Sequence, residues 1–166
     1  MSDTTSYQNR ALVIEDEAAE VVGLPEGGAF TLLADASHTG GAVSMNRLTL
    51  GPGRDGAKPH YHALSTEIFY VLEGEMEFLL GERMTTVARG GLVVVPPRLP
   101  HAFGAVPGTG AELVVILTPG VERFEYFRRL GRIQYGLETF EGLLAEQERY
   151  DVYFQDAAAW TSRRAR

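Results

Sequence analysis

Residues 59–81 read PHYHALSTEIFYVLEGEMEFLLG. Glu67–Leu72 and Glu75–Leu80 are short runs rich in apolar, β-branched and aromatic residues. They are broken by Glu73-Gly74 and closed by Gly81-Glu82, and Pro59–His62 forms a third run just upstream. Runs of this length separated by glycine read as strands joined by turns. The same rhythm extends outward. Phe30–Ala34 and Ala42–Leu50 precede the stretch, and Met84–Ala88, Leu92–Val95, His101–Ala105 and Leu113–Leu117 follow it. Gly51-Pro52-Gly53, Arg89-Gly90-Gly91 and Gly108-Thr109-Gly110 punctuate the runs. No helical period lies between them, so a βαβ arrangement is disfavoured. The pattern predicts an all-β, antiparallel fold over residues 29–118, closed into a barrel or double sheet so that no long edge stays exposed.

Residues 1–28 read as an amino-terminal arm and edge strand, with Ala11–Ile14 as a short strand. Beyond the breaker Pro119-Gly120 the period changes. Val121, Phe124, Phe127 and Leu130 form one apolar stripe and Phe140, Leu143 and Leu144 another, so Val121 to Arg149 predicts two short amphipathic helices. The extension 119–166 is expected to pack on the barrel, with a pocket lid or a dimer surface as the sharper alternative. Arg163, Arg164 and Arg166 read as a solvated basic end, and Asp151 and Asp156 as surface and packing residues.

With 166 residues, 45% hydrophobic and 22% charged, the chain has apolar material for one core. It has no cysteine, which excludes disulfides, thiolate metal sites and thiol nucleophiles. The amino-terminal MSDTTSYQNR lacks the basic-then-apolar pattern of an export signal, so a cytoplasmic location is expected. A net charge of -7 argues against nucleic acid as a partner. No GxSxG, GxxxxGK[ST] or helix-opening GxGxxG is present, which removes the hydrolase, P-loop and dinucleotide readings.

Chemistry concentrates in His60, His62, Glu67 and His101. Side chains two apart on a strand share a face, so His60 and His62 project together. Glu67 has the opposite parity, and a bend at Ala63–Thr66 must re-aim it. His101 must arrive from another strand, after the rigid corner of Pro96, Pro97 and Pro100. Three imidazoles and a carboxylate suit one divalent first-row ion, Fe, Mn, Ni, Co, Cu or Zn, without choosing among them. Four protein ligands would leave positions open, which points to catalysis rather than structure. His38, in the Ser37–Gly41 turn, reads as a surface residue.

His60-x-His62, four residues, Glu67, six residues, Gly74 resembles the first cupin motif, G(X)5HXH(X)3,4E(X)6G. Gly90, five residues, Pro96, with His101 at the expected distance, resembles the second, G(X)5PXG(X)2H(X)3N. Arg54, Arg98 and Ala105 stand where the motifs have glycine, glycine and asparagine, and none of these departures removes a ligand. The resemblance implies a cupin (jelly-roll) barrel, an antiparallel double-stranded β-helix, and a homodimer. Within the family the chain is similar to single-domain bacterial quercetin 2,3-dioxygenase-like proteins. That likeness implies a dioxygenase cleaving or oxidising a flavonol-like, hydroxylated aromatic bound at the metal, with dioxygen as co-substrate and Glu67 moving a proton. Met45, Arg47, Leu64, Phe69 and Phe103 are the pocket residues expected by parity or proximity. A cupin isomerase or cyclase using the ion as a Lewis acid, and a non-catalytic small-molecule-binding cupin, stay open.

Overall fold

The computed structural model describes residues 10–165. Ten strands follow in chain order: β1 (Glu20–Gly23), β2 (Ala29–Ala34), β3 (Ser44–Leu50), β4 (Asp55–Tyr61), β5 (Thr66–Leu80), β6 (Arg83–Ala88), β7 (Leu92–Val95), β8 (His101–Ala105), β9 (Ala111–Thr118) and β10 (Tyr153–Phe154). Ala11–Ile14, expected as a strand, forms none, and the edge strand is β1. The acidic Glu15-Asp16-Glu17 that follows enters a 3-10 turn at Asp16–Ala18 instead.

All pairings are antiparallel, in the order β1-β2-β3-β9-β5-β8-β4-β10, with β6 and β7 also on β5. β5 curls the arrangement into a barrel. Its first half pairs with β7 and β9, and its second half crosses over to pair with β6 and β8. The turn expected at Glu73-Gly74 is therefore a bulge within one 15-residue strand, with the register on β9 shifting between Val71 and Glu73. Gly74 takes φ +76°, and a Cβ there would meet the Gly110 carbonyl oxygen at 2.0 Å, so only glycine fits the crossing.

Inward residues alternate along β3, β7 and β9, as period-2 packing requires, whereas β8 is buried on both faces. Phe69, Val71, Met76, Phe78 and Leu113 are fully enclosed, each contributing about 1.5–3 kcal/mol by burial. Two helices carry the two expected stripes, α1 (Phe124–Gln134) and α2 (Phe140–Leu144), and the described carboxyl-terminal residues add α3 (Gln147–Tyr150) and α4 (Ala158–Arg164). Between α3 and α4 the chain returns to the barrel as β10, pairing with His60 and Tyr61 of β4. α1 lies close on β1, where a Cβ at Gly131 would come within 2.6 Å of Val22. Arg128 clamps it with two hydrogen bonds to the Glu20 carboxylate, at 2.7 and 2.8 Å. α4 buries Trp160 against Leu79 and Ala102. Among the described residues no helix is long and apolar enough to cross a membrane.

Candidate metal centre

The ends of β4, β5 and β8 bring His60, His62, Glu67 and His101 together. All four are buried, and one ligand atom from each lies within 4.8 Å of the others. Glu67 Oε2 lies 2.6 Å from His62 Nε2, 2.6 Å from His101 Nε2 and 3.9 Å from His60 Nε2.

The opposite edges of the rings decide what this cluster is for. His60 Nδ1 donates to the Lys58 carbonyl at 2.6 Å, His62 Nδ1 to the Asp151 carbonyl at 2.6 Å, and His101 Nδ1 to the Leu99 carbonyl at 2.9 Å. A carbonyl only accepts, so each ring carries a proton on Nδ1 and turns Nε2 inward, where His62 and His101 either donate an Nε2 proton to Glu67 or offer a lone pair to a cation. Without those protons, three lone pairs and a carboxylate oxygen at such distances repel unless a cation stands among them. A divalent ion meets that need, and backbone carbonyls behind metal-binding histidines are the usual support. Burial, then the His101 and His62 charges, holds the His60 pKa well below its ordinary value, so that ring is a neutral ligand near pH 7. Burial would raise the Glu67 carboxyl. The His62 charge and the contacts with both rings outweigh it and hold Glu67 well below the usual range, ionised.

The bend expected at residues 63–66 is present, and Asp151 fixes it. Its carboxylate accepts the backbone N–H groups of Ala63, Leu64 and Ser65 at 2.7, 3.1 and 3.3 Å, while its own carbonyl orients His62. Asp151 is 3% exposed and left-handed at φ 51°, not a surface residue. That backbone state in a non-glycine residue ending α3 marks it as special, but only the coordinates reveal its partners. Arg98, standing at a motif glycine, adopts the left-handed conformation that glycine would take, φ 71°, and donates its N–H to the His62 carbonyl. Asp156, by contrast, is exposed and accepts the Ala158 N–H.

A cavity of about 600 Å³ opens onto the cluster through His60 and Glu67. Phe103 lines it as expected. Met45 and Arg47 do not, because β3 has the other parity: Ser44, Asn46, Leu48 and Leu50 are the inward set. Met45 reaches only a small side cavity. Arg47 turns outward to Asp16 and Glu112, at 2.6 and 2.9 Å. Leu64, on the bend, is 72% exposed, and Phe69 is core beneath the cluster, its ring 6.2 Å from that of His101.

The extension supplies a wall that the expected pocket residues did not include: Tyr126, Phe127, Leu130 and Ile133 of α1, then Phe140 and Phe154. The tail packs on the barrel and borders the cavity at once, since the Phe127 ring lies 4.7 Å from that of Phe30 and lines the cavity. Its basic end is not wholly solvated either. Arg164 reaches back to the carbonyls of Ala105 and Gly53, at 2.7 and 2.9 Å, and to Asp55. Arg123 was also missed. An arginine three and four residues ahead of Tyr126 and Phe127 was its one legible signal.

The family model described as Cupin domain matches residues 46–118. Over 82 residues, 49% of this chain, the sequence is 34% identical to quercetin 2,3-dioxygenase of Bacillus subtilis. The match covers 23% of that relative, so the chain spans well under half its length. Among solved structures it is similar to a Streptomyces PAC13 variant with uridine, at 18% identity and TM-score 0.54, covering 69% of this chain and 86% of that one. It is similar too to the polyketide cyclase RemF from Streptomyces resistomycificus, at 21% identity and TM-score 0.55, covering 66% and 80%. At such identities the structural likeness speaks for the fold alone.

Proposed function

From the premise that the barrel of this chain is a cupin domain, we propose that the protein is a metal-dependent enzyme acting on a hydroxylated aromatic small molecule. The observation that carries this reading is the convergence of three Nδ1-protonated imidazoles and Glu67 on one point beside an aromatic cavity. A bound first-row ion would polarise a coordinated hydroxyl and, if redox-active, handle dioxygen.

The chain's own groups do the rest. Glu67 lines the cavity as well as facing the imidazoles, and its carboxylate is the atom group we assign to taking the substrate's hydroxyl proton. Phe103, Phe127, Phe140 and Phe154 supply flat apolar surface and exclude water, and the cavity volume falls in the range of sites for drug-sized ligands. The likeness to quercetin 2,3-dioxygenase favours oxidation of a flavonol-like compound. A Lewis-acid cyclase or isomerase is the second reading, since the same ligand set can polarise a bound hydroxyl without any redox change at the ion.

Protein loaded in turn with Fe, Mn, Co, Ni, Cu and Zn, offered a flavonol panel in an oxygen electrode, separates the two. Oxygen uptake matched to flavonol loss is expected. Turnover that continues undiminished under nitrogen would replace the dioxygenase with the cyclase, and an absence of metal binding would end both.

A further inference from the structure

Arg123 sits at the amino-terminal end of α1 and is 7% exposed, yet among the described residues its Nε and Nη1 have no hydrogen-bond partner. The side chain is held firmly. Its backbone N–H is bound by the Asp35 carboxylate, and its guanidinium lies 4.3 Å above the Tyr126 ring and 5.2 Å from that of Phe127. Ring faces offset part of the cost of burying a cation, but they do not replace an anion.

The other basic groups of the cavity differ. Arg54 has Glu26 at 2.9 Å and Arg164 has Asp55 at 3.0 Å, while Lys58 is exposed, over Phe140. Glu67 lines the same cavities as Arg123, but its charge is directed at three imidazoles. A buried, unpaired guanidinium lining the same cavity as His60 and Glu67 calls for a counter-ion that the fold does not supply.

We infer that Arg123 is a specificity-determining residue that binds a carboxylate of the substrate, while an aromatic hydroxyl occupies the metal. The substrate class is thus an aromatic carrying a hydroxyl at one end and a carboxylate at the other. This rests on the proposed function for the hydroxyl end only. A single fork of donors matches one carboxylate. A phosphate would want more N–H groups, and the first ones of α1, on Arg123 and Phe124, are already taken by Asp35. The chain carries a net charge of -7, so attraction of an anion must come from this local cation rather than from the protein as a whole.

Three catechols place the carboxylate progressively farther from the hydroxyls: protocatechuate, homoprotocatechuate and caffeate. Each is titrated calorimetrically beside its neutral methyl ester, into metal-loaded and metal-stripped protein. At least one acid should bind wild-type protein roughly ten- to a hundredfold tighter than its ester. Arg123→Met should bring that ratio to about one without weakening the ester, and Arg123→Lys should retain part of it. Should Arg123→Met fail to fold, the ratio in wild-type protein and in Arg123→Lys still decides. Acid and ester bound alike by wild-type protein, no binding of any acid, or a ratio unchanged in the substituted proteins overturns the assignment. Metal content, and ester affinity in loaded against stripped protein, report separately on the metal centre. That centre can therefore fail while the acid-to-ester ratio stands.

Discussion

The barrel and the carboxyl-terminal extension divide one task unequally. The barrel supplies every candidate metal ligand, from β4, β5, β8 and the bend between β4 and β5. The extension supplies none, yet Asp151 holds the bend and the His62 ring, α1 walls the cavity, and Arg123 is its buried cation. Ligands name a possible chemistry, whereas the surrounding shell decides how well they are aimed and what reaches them.

The division is broken most severely by comparing a ligand with its support. His101→Ala should abolish metal binding, taking content after chelator-free loading from one equivalent to none. Asp151→Ala removes no ligand and keeps the carbonyl behind His62, but it releases the bend at residues 63–65 that places His62 and Glu67, and should weaken metal binding up to about tenfold. It also strands three backbone N–H groups, so thermal unfolding should register a loss of about 3 kcal/mol. If Asp151→Ala binds metal like wild type, the carboxylate that holds the bend has no part in the centre.

Those two positions also mark what the sequence could reveal. His60, His62, Glu67 and Gly74 were legible because their relation is local: two residues along a strand, a bend, a left-handed turn residue. Asp151 acts on residues 86 to 88 positions away through backbone groups, and no periodicity records that. The parity of β3 misled for another reason. Ser44-Met45-Asn46-Arg47-Leu48 places Ser44, Asn46 and Leu48 on one face and Met45 and Arg47 on the other, so both faces mix polar with apolar, and pairing with β2 and β9 decides that Asn46 goes inward. The bulge in β5 likewise hid one long strand behind what looked like a turn, because Glu73-Gly74 serves either purpose.

A cut in the α1 wall sharpens the comparison at intermediate size. The Phe127 ring packs 4.7 Å from that of Phe30 and borders the cavity. Phe127→Ala should cost about 3 kcal/mol in denaturant unfolding, the low end for a buried phenylalanine because one side already faces open space. Metal content should be unchanged, while KM for any substrate found should rise more than kcat falls. A loss of metal in this variant would show the wall and the ligands to be one cooperative unit rather than two parts.

The smallest effect lies at the joint between barrel and extension. Asp35, after β2, accepts the N–H groups of Arg123 and Phe124, and so ties the barrel to the start of α1. Its pKa is raised to about 6, chiefly by burial and then by the hydrogen bond it shares with Glu122, despite the lowering effect of those two N–H groups. A carboxyl with a raised folded-state pKa binds its proton more tightly folded than unfolded. Its contribution is full below the unfolded value near 3.8 and is lost as pH rises through about 6. Glu122 is shifted the opposite way and offsets part of this, since the two share a proton. In Asp35→Asn the amide can donate to Glu122 and accept from the backbone as the protonated acid does, but it does not titrate. Denaturant unfolding should therefore find Asp35→Asn equal to wild type near pH 4 and more stable by about 1 kcal/mol near pH 8, after discounting for Glu122 and solvent screening. An identical pH profile for the two proteins would mean that Asp35 is ionised throughout, and that the joint is a simple helix cap.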